Sequence, residues 1–102
     1  MIRLTAIYPA APGKRFDFDY YLNKHTPNLV RLVGEALRRV EIFKGVSALD
    51  GGASPFVCIC HLHFDSAEAM NAAVAPHLAT LVADIANYTD ISPQLAIDTP
   101  TP

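Results

Sequence analysis

The sequence predicts a ferredoxin-like α+β fold, in which four strands and two helices follow one another in the order βαββαβ. Two stretches repeat apolar residues at helical intervals, and each is flanked by segments rich in residues that favour strands. The two βαβ halves are about equal in length, and 102 residues suffice for one domain with one core. We therefore expect a single domain over residues 1–102, with an antiparallel sheet and both helices on one of its faces.

Four segments have the composition and alternation of β-strands. They span residues 2–8, 37–46, 56–64 and 90–98. The third is the clearest, because one of its sides is uniformly apolar while the other becomes polar towards its end. Cys58 and Cys60 fall on the apolar side and have a poor geometry for a disulfide with each other, so we expect both in the core.

The first helix contains the most informative residues of the chain. Asp17 is expected to cap its start. His25 falls on the apolar stripe of this helix, with Tyr21 one turn earlier on the same face. Because Pro27 lacks an N–H and disfavours helical geometry at Thr26, we expect the helix to kink or restart there, with Thr26 capping the second piece.

The second helix is predicted directly after the third strand. Asp65 is expected to cap it, and Glu68 completes a capping box three residues later. Its apolar side repeats at helical spacing and is interrupted by Pro76. Since both helices cover one face of the sheet, the opposite face has no cover within this chain.

The composition limits the classes of partner. A net charge of −2 and scattered basic residues argue against a nucleic-acid partner. No apolar run approaches the roughly 18–20 residues of a membrane span, and a signal-peptide pattern is absent, so we expect a cytoplasmic protein with no membrane partner. Charged residues make up 18% of the chain, below the usual value of about 25%. The apolar surface that remains predicts a homodimer.

His25 is the first candidate for a catalytic residue. As a general acid or base it could act on an enolisable C–H or a phenolic O–H, since an imidazole titrates near neutrality. Tyr21 could orient this histidine or the substrate. The alternative is a structural histidine that bonds a backbone carbonyl near the Pro27 break. The local pattern is compatible with both.

Four further residues complete the candidate set. His61, the second catalytic candidate, and His63 share one face of the third strand, where they could line a pocket or a dimer interface, or bond at a polar strand end. Thr5 and Tyr8, on opposite faces of the first strand, could hydrogen-bond a ligand.

No metal or organic cofactor is expected. On an extended strand, the spacing C-x-C-H-x-H sends the cysteines and the histidines to opposite faces, so one tetrahedral site cannot collect all four. The chain also lacks the glycine-rich signatures of nucleotide, nicotinamide and flavin sites.

Three blocks of the sequence resemble the EthD family. They are FDFDYYLNKHTPNL at residues 16–29, HLHFDSAEAM at residues 61–70 and NYTDISPQLAID at residues 87–98, in the order and spacing of the family. The resemblance implies a dimeric α+β barrel, in which two ferredoxin-like units pack their sheets face to face and each keeps a pocket between its sheet and its helices. His25 occupies the position of the family's histidine in KHTP, and His61 matches the second block.

The resemblance also implies a link to ethyl tert-butyl ether degradation, and structural relatives that include cyclases, isomerases and cofactor-free monooxygenases. It therefore predicts a small enzyme without a cofactor, in which His25 is the acid–base group for an aromatic or polyketide-like substrate. The alternative is a non-catalytic protein that binds a small apolar molecule or supports an oxygenase. Architecture follows from such a resemblance far better than chemistry does.

Overall fold

The computed structural model describes residues 1–102 and contains one antiparallel sheet with helices on one face. The strands are β1 (Ile2–Pro9), β2 (Arg39–Lys44), β3 (Phe56–Phe64) and β4 (Gln94–Asp98), in the spatial order β2-β3-β1-β4. Helix α1 comprises Phe18–Tyr20, a π turn at Tyr21–His25 and Thr26–Val33, and helix α2 spans Ala67–Asn87. The predicted βαββαβ ferredoxin-like fold is confirmed.

Alternation along the strands divides the side chains between two faces of the sheet. On the central strand β1, Leu4, Ala6 and Tyr8 point towards the helices, whereas Arg3 and Thr5 point away from them. We call the face without helices the open face. Its further residues follow from the register of β2, β3 and β4 and include Arg39, Glu41, Phe43, His61, His63 and Asp98.

The core lies between the sheet and the helices. Thirteen buried hydrophobic residues form one cluster there, and Tyr88, Phe64 and Cys58 are its most deeply buried large side chains. Cys58 and Cys60 are both buried and unpaired, which confirms their prediction as core residues. Burial raises the pKa of Cys58 to about 12, so this thiol stays protonated and unreactive.

Helix α1 differs from the prediction at Pro27. Thr26 has helical backbone angles and caps nothing, because the helix continues through it. Its N–H bonds the carbonyl of Tyr21 five residues back, which is the pattern of a π turn. The expected break is therefore replaced by a widened turn directly before Pro27. The proline itself has no N–H and needs no hydrogen-bond acceptor in the preceding turn. Asp17 does cap the helix, as predicted, by accepting from the N–H of Tyr20.

Helix α2 begins one residue later than predicted. Ser66, not Asp65, is the cap, and its hydroxyl accepts from the N–H of Ala69 at 3.1 Å. Asp65 instead forms an exposed ion pair with Arg38 at 2.8 Å, so the capping box with Glu68 does not form.

The last strand is shorter than predicted, because β4 starts at Gln94 rather than at residue 90. The preceding segment turns Tyr88 and Ile91 into the core. Thr89 fixes this turn, since its hydroxyl accepts from the N–H of Ile91 and donates to the carbonyl of Arg15. Side-chain burial thus overrides the strand propensity of this stretch.

Helix α2, with 21 residues, is also long and apolar enough, by length and composition alone, to span a membrane, since one 18-residue window within it has a mean hydropathy of 1.2. Pro76 and several polar residues interrupt its apolar run, so no continuous apolar stretch of this length stands out in the sequence. The inward side of the helix contributes Met70, Val74 and Leu81 to the core. A core helix of a globular domain passes the same test, so the feature is weak evidence for a membrane span.

Candidate functional site

A largely apolar cavity lies between the sheet and the two helices. Seventeen residues line it, fifteen of them are hydrophobic, and Lys, Arg, Asp and Glu are absent from the lining. The space open to the centre of a water-sized sphere is about 80 Å³, several times what one water molecule needs. Leu78, Val82 and Leu95 line the cavity and are about half exposed, so its mouth lies between α2 and β4.

The π turn of α1 delivers His25 to this cavity. The residue is 6% exposed, and its side chain packs between two aromatic rings. The ring of Tyr21 is nearly parallel to it, with 5.5 Å between the centroids, and the ring of Tyr88 lies 4.7 Å away. Two aromatic contacts and burial leave the imidazole little freedom to rotate.

Asp84 on α2 fixes the protonation pattern of His25. Its Oδ2 lies 2.8 Å from His25 Nδ1, and its Oδ1 accepts from the Tyr20 hydroxyl at 2.7 Å and from Asn87 at 2.9 Å. Burial by itself raises the pKa of Asp84, but the hydrogen bonds from Asn87, Tyr20 and His25 outweigh it, and the pKa lies below its usual value. Because a carboxylate only accepts, Nδ1 carries a proton, and Nε2 of the neutral ring keeps its lone pair.

That lone pair is accessible from the cavity. His25 Nε2 makes no hydrogen bond to the protein. No fully buried side-chain nitrogen or oxygen lacks a partner, so Nε2 is not sealed in the core. Since His25 lines the cavity, this nitrogen is open to whatever the cavity holds.

Three tyrosines also line the cavity. The hydroxyls of Tyr8 and Tyr88 are 2.6 Å apart and hydrogen-bonded to each other, and Tyr21 lies next to both rings. Burial raises the pKa of Tyr8 to about 12 and raises the pKa values of Tyr21 and Tyr88 as well. All three hydroxyls therefore stay neutral and can donate hydrogen bonds at physiological pH.

The other three predicted site residues, Thr5, His61 and His63, lie on the open face. Thr5 Oγ1 donates to Asp98 Oδ2 at 3.0 Å and therefore accepts from His61 Nδ1 at 2.9 Å. Arg3 holds the same Asp98 through a bond of 2.7 Å. The sheet separates this group from the cavity, so within one chain it cannot share a ligand with the cavity histidine.

Charges on the open face are paired. His63 Nε2 lies 2.6 Å from Glu41 Oε1, and this hydrogen bond holds the pKa of Glu41 below its usual value. Burial, followed by the nearby positive charge of Arg3, lowers the pKa of His61. No group of three or more His, Cys, Asp or Glu side chains in the chain is arranged to hold a metal ion.

Comparison with known proteins identifies the family. The EthD domain family matches residues 13–92. The chain belongs to the EthD family. An EthD-like protein from Ralstonia eutropha JMP134 is 39% identical over 95% of this chain and 88% of its own length, with a TM-score of 0.88. An EthD family protein from Bacillus halodurans C-125 is 23% identical over 99% of both chains, with a TM-score of 0.71.

More distant neighbours share the fold. An antibiotic biosynthesis monooxygenase is 14% identical over the full length of both chains, with a TM-score of 0.58. This likeness in fold agrees with the predicted ferredoxin-like architecture of the chain. A comparison with curated proteins finds no match.

Of the residues that form this cavity or bond His25, the sequence singled out His25, Tyr21 and Tyr8 as candidates but not Asp84 or Tyr88. A signal for Asp84 was present, since it is the only carboxylate in α2 after Glu68 and follows a long apolar stretch. Tyr88 lies in the block NYTDI, which was used for the family resemblance alone.

Proposed function

We propose that this EthD family protein is an enzyme that uses His25 as a general base on a small, largely apolar substrate in the cavity. One observation supports the proposal above all others: His25 is hydrogen-bonded to Asp84 on one side and offers an unpartnered Nε2 to an apolar cavity on the other. A carboxylate in this position holds the imidazole in one tautomer and stabilises the imidazolium that forms during proton transfer.

The chemistry depends on that arrangement. Nε2 takes a proton from an acidic C–H or O–H, and the electron pair left behind moves onto a conjugated oxygen of the substrate. The imidazolium is stabilised by Asp84 and can return the proton to a different atom. Removing a proton from one atom and returning it to another is the chemistry of an isomerisation or a cyclisation, and it needs no cofactor. The monooxygenase among the neighbours is too distant in sequence for its reaction to carry over.

The proposal can be tested with 5-nitrobenzisoxazole, a neutral planar molecule. A base removes its ring C–H proton, the C–H electrons complete a nitrile, and the N–O bond breaks to give a coloured phenolate. We expect the wild-type protein to catalyse this opening and His25→Gln to lower kcat/KM by at least about 100-fold. His77→Gln is the matched control, because His77 does not line the cavity, and its kcat/KM should stay within about twofold of the wild-type value.

The opposite result also has a clear meaning. If His25→Gln keeps the wild-type rate while retaining its fold by circular dichroism, His25 is not a general base. The cavity would then be a binding site, as in a non-catalytic carrier or an accessory protein of an oxygenase.

We also infer that the protein is a homodimer that pairs its open faces. Members of the dimeric α+β barrel family typically dimerise. On the open face, Phe43 is half exposed, and Ile7, Val57 and Ile59 lie beside it in the register of the sheet. Covering these side chains with a second copy would remove apolar surface from water.

A further inference from the structure

We propose that the hydroxyl groups of Tyr8 and Tyr88 recognise an uncharged oxygen of the substrate, a carbonyl or a phenol, and that the cavity selects neutral ligands against anions. This inference rests on the proposed use of the cavity as a substrate site and adds the chemical class that the site accepts.

One of the two hydroxyl protons of Tyr8 and Tyr88 has no acceptor within the pair. Tyr8 and Tyr88 share one hydrogen bond of 2.6 Å, which uses one of their two hydroxyl protons. Tyr21 lies next to Tyr8, but a chain of three hydroxyls still uses only two of three protons. The Cys60 sulfur, which lies beside Tyr21, is a weak acceptor. A ligand oxygen can therefore accept the hydroxyl proton that remains.

The charges around the cavity exclude anions. No Lys or Arg lines it, and His25 already faces the carboxylate of Asp84. A carboxylate or phosphate that entered would lose its hydration without gaining a cation, and it would lie close to that negative charge. A neutral oxygen loses much less hydration and regains a hydrogen bond from the tyrosine pair.

The hydroxyl pair and the base flank the same space. The ring of His25 lies 4.7 Å from the ring of Tyr88, and the two tyrosine rings are 6.1 Å apart. A planar ligand whose oxygen bonds the pair thus presents a neighbouring C–H or O–H towards Nε2. When that proton leaves, negative charge develops on the oxygen that receives the tyrosine hydrogen bond, which stabilises it. Tyr8 and Tyr88 would then be catalytic residues as well as recognition residues.

Three probes of similar shape separate the effects of a neutral oxygen, an apolar ring and a negative charge on binding. They are p-cresol, which has a neutral oxygen, p-xylene, which has a methyl group in its place, and p-toluate, which is an anion. Titration of the isotope-labelled full chain, followed by NMR, gives each Kd. We expect Tyr88→Phe and Tyr8→Phe each to weaken p-cresol binding by about fivefold or more, and p-xylene binding by less than about twofold. In the wild-type protein, p-toluate should bind at least about tenfold more weakly than p-cresol.

Each outcome decides between the two proposals. If a tyrosine variant weakens p-cresol and p-xylene equally, or p-toluate binds as tightly as p-cresol, the recognition site is wrong. The general-base role of His25 would still stand on the loss of activity in His25→Gln. If none of the three probes shifts cavity residues, the cavity is not a ligand site, and both proposals fail. Each variant is judged by the ratio of its Kd values for p-cresol and p-xylene. A change in the overall stability of the variant therefore does not mimic the expected result.

Discussion

At the residue scale, the decisive feature is the contact between His25 and Asp84. The apolar periodicity of α1 could place His25 on the inner face, but it could not supply the partner. The two residues are 59 positions apart, and their contact depends on how α2 packs beside α1. The sequence therefore left a structural histidine bonded to backbone as an alternative, and the structure shows a bond to a carboxylate side chain instead.

Replacing Asp84 tests this contact through the chemistry. In Asp84→Asn, an uncharged amide can no longer stabilise the imidazolium, and it does not enforce the Nδ1–H tautomer. We expect kcat for the opening of 5-nitrobenzisoxazole to fall by about 10- to 1,000-fold with KM within about twofold. Asp19→Asn is the control, since Asp19 is an exposed carboxylate that bonds Asn23 within α1. Equal kcat values in Asp84→Asn and the wild-type protein would contradict the account.

At the element scale, the fold was predictable because its signals are local and strong. The alternation in β1 and β3 and the helical periodicity of α1 and α2 each agree with the final structure. The start of β4 was not predictable from propensity, because the burial of Tyr88 and Ile91 turns that segment away from the sheet.

The π turn in α1 is a second feature that the sequence could not predict. Sequence rules correctly marked Pro27 as incompatible with a regular helix, but they offered only a break or a kink. The widened turn keeps the helix continuous. One extra residue in a turn rotates the rest of the helix by roughly 100°. Within this wide turn Tyr21 and His25 stand one above the other, with only 14° between their ring planes. The π turn thus sets the direction in which the His25 ring points, and such turns are frequent at functional sites.

At the scale of the whole molecule, the fold is a slab of 39 × 36 × 18 Å with helices on one face only. The polar group around Asp98 and the paired histidines lie on the uncovered face, and Thr5 and His63 are already buried there. We therefore assign His61 and His63 to the proposed dimer interface, which is one of the three roles that the sequence left open for them.

A charge on the open face should prevent dimerisation. Phe43 is 50% exposed there, so Phe43→Glu would place an unpaired carboxylate in the interface. Sedimentation should give the wild-type protein a mass of twice the 11.1 kDa chain, and the variant a mass close to one chain. Leu22→Glu is the matched control, because Leu22 is 47% exposed on the helical layer, and this variant should remain a dimer. A dimeric Phe43→Glu together with a monomeric Leu22→Glu would place the interface on the helices instead.

A long-range ¹H–¹⁵N correlation spectrum of the histidine rings measures directly whether His25 presents an unprotonated Nε2 to the cavity. In the neutral ring we expect His25 to be the Nδ1–H tautomer, with an Nε2 resonance that moves when p-cresol is added. The spectrum of His25→Gln assigns the signal by its disappearance. An Nε2–H tautomer at His25 would contradict the account, because the nitrogen that faces the cavity could then not accept a proton.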